Sequence, residues 1–285
     1  MKLNYSIKIC RISDIHTARF LARSGIDFLG LHAIFDMPNK KTSVELKKII
    51  DEIRLYYPKT KTVLVTRITT PKKLAAVYAK LQTDFIQWSA PVSKSDKKNF
   101  LNYARKCQKN VKLMNVISST ETNILSACKD IVGNWVVIDK EFAGGSGTTT
   151  PKETLQFITK KLSGKKVLIA GGMGRVNISR WLKGMNVIGV DIMSSMEISR
   201  DNKGKDFEKI KDYLSMTRGI KHLPIFEQPR AKRLEIKAVT SIKGAMSAIK
   251  KGVDIIQLKK LDKNSNIITE IRKINQFVPI EITTP

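Results

Sequence analysis

Short runs of β-branched and aliphatic residues alternate with longer amphipathic stretches along most of this chain. The runs are "IKICRI" (7–12), "FLGLHA" (28–33), "KTVLVT" (61–66), "DFIQW" (84–88), "VKLMNVI" (111–117), "WVVID" (135–139), "KVLIAG" (166–171) and "VIGVDIM" (187–193). Near-continuous apolar runs of this length, bounded by polar loops, predict strands buried on both faces of a parallel sheet. Each run but the last leads through a polar or glycine-containing loop into an amphipathic segment such as "TPKKLAAVYAKL". The last leads into "EISRDNKGKDFEKIKDYL", whose helix closes the series. Repeated strand–helix units predict an α/β protein, and eight of them in about 215 residues match the size of a (β/α)8 TIM barrel. A doubly wound open sheet is the alternative, and it needs a reversal of strand order that periodicity does not reveal.

The pattern restarts near the C-terminus. The expected organisation is a barrel over 1–217, a linker over 218–233 containing "IKHLPIFEQPRAKR", and a βαβαβ extension of unknown role over 234–285. In the extension, "LEIKAV", "VDIIQL" and "VPIEITT" read as strands and "SIKGAMSAIKKG" and "NIITEIRKIN" as helices. The parallel of its "GVDIIQL" with the "GIDFLGL" of the barrel reads as shared βαβ grammar in preference to an internal duplication. Three strands and two helices leave apolar faces uncovered, so the extension is expected to dock on its own barrel or to join an oligomer.

Composition adds bounds. With 285 residues and 42% hydrophobic content the chain can bury a substantial core. No stretch has the roughly 18 apolar residues of a membrane span, so the expectation is a soluble, cytoplasmic protein without a membrane partner. Three cysteines, Cys10, Cys107 and Cys128, show neither disulfide nor metal spacing, and no metal or cofactor is expected. The formal charge of +27 would attract any polyanion. Because the lysines are scattered and not interleaved with aromatics, nucleic acid is the less favoured partner, and a phosphorylated small molecule fits as well.

Barrel geometry turns strand ends into candidate sites, because reacting groups gather at the C-terminal ends of the strands. Cys10 lies at the first such end. Alternation places Lys8 and Cys10 on one face, with Ile7 and Ile9 on the other, and an inward ammonium is expected to lower the thiol pKa. Asp139 ends the sixth strand, "GGSG" (144–147) follows it, and "AGG" (170–172) ends the seventh. Glycines on consecutive late strand ends suit backbone binding of a phosphate. His32 is expected to be a barrel-mouth histidine with its hydrogen bonds satisfied, His16 to lie in the first βα loop or at the helix start, and Trp88 to pack rather than stack on a ligand.

Taken together, "KIC" with "ISD", "SGIDFLGL", "ID" with "GGSGTT", "LIAGGM" with Asn177, and "GVDIMSSME" with "KGKDFEKIKDYL" resemble, in order and spacing, phosphoribosylanthranilate isomerase over about residues 5 to 216. The resemblance implies a (β/α)8 enzyme of tryptophan biosynthesis that carries out an Amadori rearrangement of an N-linked aminoaldose phosphate to an aminoketose phosphate. On the matching positions it makes Cys10 the general base and Asp139 the general acid. Phosphate and substrate would contact Gly145, Ser146, Gly147, Gly171, Gly172, Ser194, Lys8 and Gln87. This chain also departs from the family. Arg11 stands where the family has glycine, Asn39 where it has an arginine for the anthranilate carboxylate, and "WSA" (88–90) follows Gln87 in place of leucine, histidine and glycine. Met193 and Ser195 replace a serine and a glycine of the eighth motif. Lys40 or Lys41 would then supply the missing charge. The departures leave two alternatives: an isomerase of another phosphorylated aminosugar, or a non-catalytic basic barrel used for binding or as a scaffold.

Overall fold

A computed structural model describes residues 5–34, 40–142, 149–174, 178, 182, 184–199, 204–218, 236–239, 241, 244, 255–259 and 280–283. The chain divides into two compact units, Met1–Ile225 and Phe226–Pro285. In the first, eight parallel strands close into a barrel in the order β1-β2-β3-β4-β5-β6-β7-β8, which decides against the open sheet. The strands are β1 (Ser6–Cys10), β2 (Phe28–His32), β3 (Lys61–Thr66), β4 (Phe85–Trp88), β5 (Lys112–Ser118), β6 (Trp135–Asp139), β7 (Lys166–Ile169) and β8 (Gly189–Ile192). Between them run helices α1 (Ile15–Arg23), α2 (Lys40–Tyr56), α3 (Pro71–Leu81), α4 (Lys94–Cys107), α5 (Ile124–Lys129) and α6 (Lys152–Lys161). A short 3-10 turn (Ser194–Met196) and α7 (Phe207–Arg218) follow β8. Among the described residues, no helix is long and apolar enough to cross a membrane.

Local chemistry sets the helix limits. Asp14 starts α1 by accepting a hydrogen bond from Thr17 N at 2.8 Å, satisfying one of the unpaired amides of the first turn. His16 lies in that turn. Ser93 does the same for α4 through Asp96 N, and Pro71 opens α3 with a preset φ. Most of the helices then bury one stripe on the barrel, as Ala18, Phe20 and Leu21 do from α1, whereas the short α5 buries no residue.

Alternation along the strands separates two cores. Ile7, Ile9, Leu29, Leu31, Ile86 and Trp88 are buried beneath the helices. Cys10, Phe28, Val63, Val65, Phe85, Met114, Val116, Val137, Leu168 and Ala170 form the cluster inside the barrel. Phe28, Phe85 and Trp135 pack edge-to-face at its lower end, with centroids 5.0–5.4 Å apart, and so plug that end. The upper, C-terminal ends of the strands stay open.

Closure depends on Gly189. Ser6 faces it across the β1–β8 pairing, and a Cβ on Gly189 would overlap the Ser6 carbonyl. The second unit contains three parallel strands, β9 (Ile236–Val239), β10 (Ile255–Lys259) and β11 (Ile280–Thr283), with β10 in the middle. They coincide with the three runs expected there. The linker beyond Arg218 and the two helical stretches of the extension lie outside the described residues.

Candidate active site

A pocket of about 620 Å³, open to solvent, occupies the C-terminal mouth of the barrel. Cys10 from β1, Asp139 from β6 and Asp191 from β8 line it together, along with Gln87, Gly171, Gly172 and Ser194. Strand ends distant in sequence meet there because barrel closure brings β8 beside β1.

Lys8, the inward residue below Cys10, is completely buried and does not line the pocket. Its Nζ donates to Cys10 Sγ at 2.5 Å and to Asp191 Oδ2 at 2.6 Å. Lys8 thus stands behind the pocket lining, next to two of the side chains that form it. Burial works against its charge, but Asp191 and Cys10 overcome that penalty and hold the amine above its ordinary pKa. The expected lowering of the Cys10 pKa is overturned. Burial and the charge of Asp191 outweigh the attraction of Lys8 and push the thiol up to about 12. One ammonium cannot serve two anions fully, and the carboxylate takes the larger share.

Asp139 accepts a hydrogen bond from Lys140 N at 2.7 Å. Burial and the nearby Asp191 nonetheless raise its carboxyl to about 6, against the smaller opposing effects of that hydrogen bond and Lys8. A carboxyl held in this range retains a useful protonated fraction near neutrality, as proton donation requires. Between Cys10 and its neighbour strand there is room only because residue 30 is glycine: a Cβ there would overlap Cys10 Sγ and approach Cys10 Cα to 3.0 Å.

Gly171 and Gly172 line the pocket with positive φ of 81° and 62°, a conformation that glycine adopts without steric penalty. Ser194 and Ser195 face them, and Ser195 Oγ donates to Met173 O at 2.9 Å, tying the β7 and β8 loops together. The expected phosphate contacts Gly145, Ser146 and Gly147, as well as Asn177 and Asn39, lie outside the described residues. Lys40 and Lys41 begin α2, and their side chains also lie outside them.

Arg11 holds φ at 63°, the left-handed region that the glycine of the family pattern would enter freely. Its Nη1 pairs with Glu197 Oε1 at 2.9 Å, fastening the loop after β1 to the segment after β8. Glu197 is buried and also lies 3.5 Å from Lys205 Nζ. Trp88 points away from the pocket, donating to Ile68 O at 2.6 Å and packing against Phe100, so its role is packing. His32 does line the pocket, but its Nε2 is buried without a hydrogen-bond partner among the described residues, contrary to the expectation that it is satisfied. Gln87 Oε1 and Asp191 Oδ1 are unsatisfied in the same way.

Three residues were missed from sequence, two of them with a readable signal. Asp191 is the charged residue at an inward position of the apolar run "VIGVDIM", and Gly30 interrupts "FLGLHA", where a glycine marks close approach of another chain segment. Arg67, just past β3, lines the pocket with no comparable signal.

Fold and site together define a (β/α)8 barrel in which Cys10, Asp139 and the glycines after β7 meet in one pocket at the mouth. The model of the N-(5'-phosphoribosyl)anthranilate isomerase family matches residues 7–216, and the chain belongs to that family. It is similar to the N-(5'-phosphoribosyl)anthranilate isomerase of Leptospira borgpetersenii serovar Hardjo-bovis, with 28% identity over 218 residues, covering 74% of this chain and 94% of the relative. The enzyme of Bacillus cereus strain B4264 is 25% identical over 211 residues, covering 73% and 95%. Among solved structures, phosphoribosyl anthranilate isomerase from Thermotoga maritima shares the fold at a TM-score of 0.59 and 19% identity, covering 75% of this chain and 99% of that one.

Proposed function

We propose that the chain isomerises N-(5'-phosphoribosyl)anthranilate to the corresponding 1-(o-carboxyphenylamino)-1-deoxyribulose 5-phosphate, a step of tryptophan biosynthesis, in the cytoplasm. The observation that carries this is the convergence of Cys10 and Asp139 on one pocket whose far side is lined by Gly171, Gly172 and Ser194. In this reading the backbone around those residues holds the phosphate, with Gly145, Ser146 and Gly147 completing the cradle. Protonated Asp139 gives its proton to the furanose ring oxygen as the C1–O bond breaks, leaving an iminium. Cys10, as thiolate, takes the C2 proton, and the C–H electron pair neutralises the iminium as an enolamine. Return of the proton from Cys10 to C1, with loss of the C2 hydroxyl proton to the Asp139 carboxylate, then yields the aminoketose and restores both groups, so the sequence moves protons without net oxidation.

Contact with Lys8 stabilises the thiolate, while Asp191 limits how readily it forms. Gln87 and Asp191 each bring an unsatisfied buried oxygen to the pocket, suited to donors on the sugar or the bridging amine. The test is disappearance of anthranilate-type fluorescence on incubation with N-(5'-phosphoribosyl)anthranilate. Cys10→Ser and Asp139→Asn should each lower kcat by roughly 10²-fold or more with little change in the unfolding midpoint, the scale of acid–base catalysis. Near-full turnover in either variant would remove that residue from the mechanism, and an inactive wild type would remove the activity.

A further inference from the structure

Arg11 follows Cys10 directly and holds a left-handed φ of 63°. Among the described residues the other non-glycine position with positive φ is Gln82, which ends α3 and does not line the pocket. The left-handed region is strained for an L-residue, which stays there only where its surroundings leave no alternative, and such positions gather at functional sites. The surroundings of Arg11 are specific. On one side of it Cys10 is paired with Gly30 of β2, and on the other Ile12 N donates to Gly30 O at 3.0 Å. The Arg11 side chain reaches across to β8, where its Nη1 lies 2.9 Å from Glu197 Oε1, a carboxylate only 2% exposed.

Glu197 belongs to a braced segment. Lys205 Nζ lies 3.5 Å from the same carboxylate oxygen and donates to Met193 O at 3.1 Å. Lys209 Nζ donates to Glu197 O at 2.7 Å, and Asp206 N donates to Met196 O at 2.9 Å, which ties the segment to the start of α7. Ser194, a proposed phosphate contact, lies within this segment and lines the pocket. Arg11 is not among the lining residues, so its influence on the pocket passes through Cys10 on one side and the 193–197 segment on the other.

We propose that Arg11 is a positioning residue: its ion pair with Glu197 fixes the strained backbone after Cys10 and so sets the place of the thiol relative to a phosphate held at Ser194. Breaking the pair lets residue 11 relax towards negative φ, a rotation immediately beside Cys10. About 1 Å of misplacement between reacting groups costs up to about 10²-fold in rate, whereas a phosphate bound in its own loop does not sense the thiol. That the thiol acts as a base rests on the isomerase reading; its placement by Arg11 does not.

The test compares Arg11→Ala, Arg11→Gly and Arg11→Lys in the full chain, by turnover of N-(5'-phosphoribosyl)anthranilate and by calorimetric binding of inorganic phosphate. Arg11→Ala should lower kcat about tenfold while KM and phosphate affinity stay within about twofold, the mark of a misplaced group and not of a lost binding contact. Arg11→Gly loses the same charge but enters the left-handed region freely, and should keep kcat within about threefold of wild type. Arg11→Lys should fall between wild type and Arg11→Ala, because an ammonium reaches the carboxylate without the planar fork. Equal losses in the alanine and glycine variants would assign the effect to charge alone, an unchanged kcat in Arg11→Ala would leave the ion pair a stability feature, and a loss confined to KM would make it part of phosphate binding; each overturns the inference. Iodoacetamide labelling gives a readout independent of turnover, with Cys128 on α5 as internal control for global opening. Cys10 should react about fivefold faster in Arg11→Ala than in Arg11→Gly, with Cys128 unchanged. That result with an inactive wild type keeps the positioning role and removes the isomerase activity, and equal Cys10 rates with an active wild type do the reverse.

Discussion

Cys10 and Asp191 compete for one buried ammonium, and this competition governs the pH behaviour of the site. Asp191 raises the pKa of both proposed proton-transfer groups, Cys10 to about 12 and Asp139 to about 6, in each case second to burial. The mechanism uses Asp139 protonated and Cys10 as thiolate, so with their pKa values at about 6 and about 12 the reactive form is a minor one, and kcat/KM, which reports the free enzyme, should rise with pH and level off above about 6. Asp191→Asn removes a negative charge beside that carboxyl. A lost neighbouring anion lowers an acid's pKa, so the rising limb should level off at lower pH, and the midpoint for alkylation of Cys10 should fall as well. The check is a pH profile of kcat/KM together with iodoacetamide reactivity in wild type and variant. Limbs at the same pH in both proteins would show that the three groups are not coupled as drawn.

At the level of elements, β1 and β8 carry the closure of the barrel as well as the Lys8–Asp191 pair. Their contact tolerates no side chain at Gly189, whose added Cβ would meet the Ser6 backbone. Gly164, before β7, is a useful contrast, because it has a φ of 79° but open space around its Cβ position. Gly189→Ala must displace backbone and should cost about 3 kcal/mol or more, as overpacking does. Gly164→Ala pays only left-handed strain, about 1 kcal/mol. Urea unfolding of both variants measures the difference, and equal losses would show that the β1–β8 junction yields more easily than its geometry indicates. Arg11 illustrates the same junction from the loop side: a non-glycine residue holds a left-handed φ there, and its ion pair with buried Glu197 helps to offset the strain.

On the scale of the whole molecule, the described lining residues of the pocket all lie between Cys10 and Ser195, and the family match ends at 216. A chain ending at Ile225, the limit of the first compact unit, should therefore keep kcat/KM within about threefold of the full chain. A loss of tenfold or more on truncation would mean that residues 226–285 support the site. The charge of +27 belongs to the same scale, since it favours encounter with a phosphorylated substrate without selecting one.

Periodicity alone specified much of the architecture. Apolar runs separated by amphipathic stretches specify the alternating elements, because burying the apolar face of each is a local demand. The two-residue alternation of "IKIC" already sets Lys8 and Cys10 on the inner face. Glycines at Gly171 and Gly172 mark a loop whose backbone needs positive φ. What the sequence does not carry is the partner of each inward charge. Asp191 lies 183 positions from Lys8 and meets it only because the eighth strand pairs with the first. The raised thiol pKa and the unsatisfied His32 nitrogen likewise follow from closure. Apolar alternation is written in neighbouring residues, whereas the electrostatics of a site depends on burial and on charges delivered by strands distant in the chain.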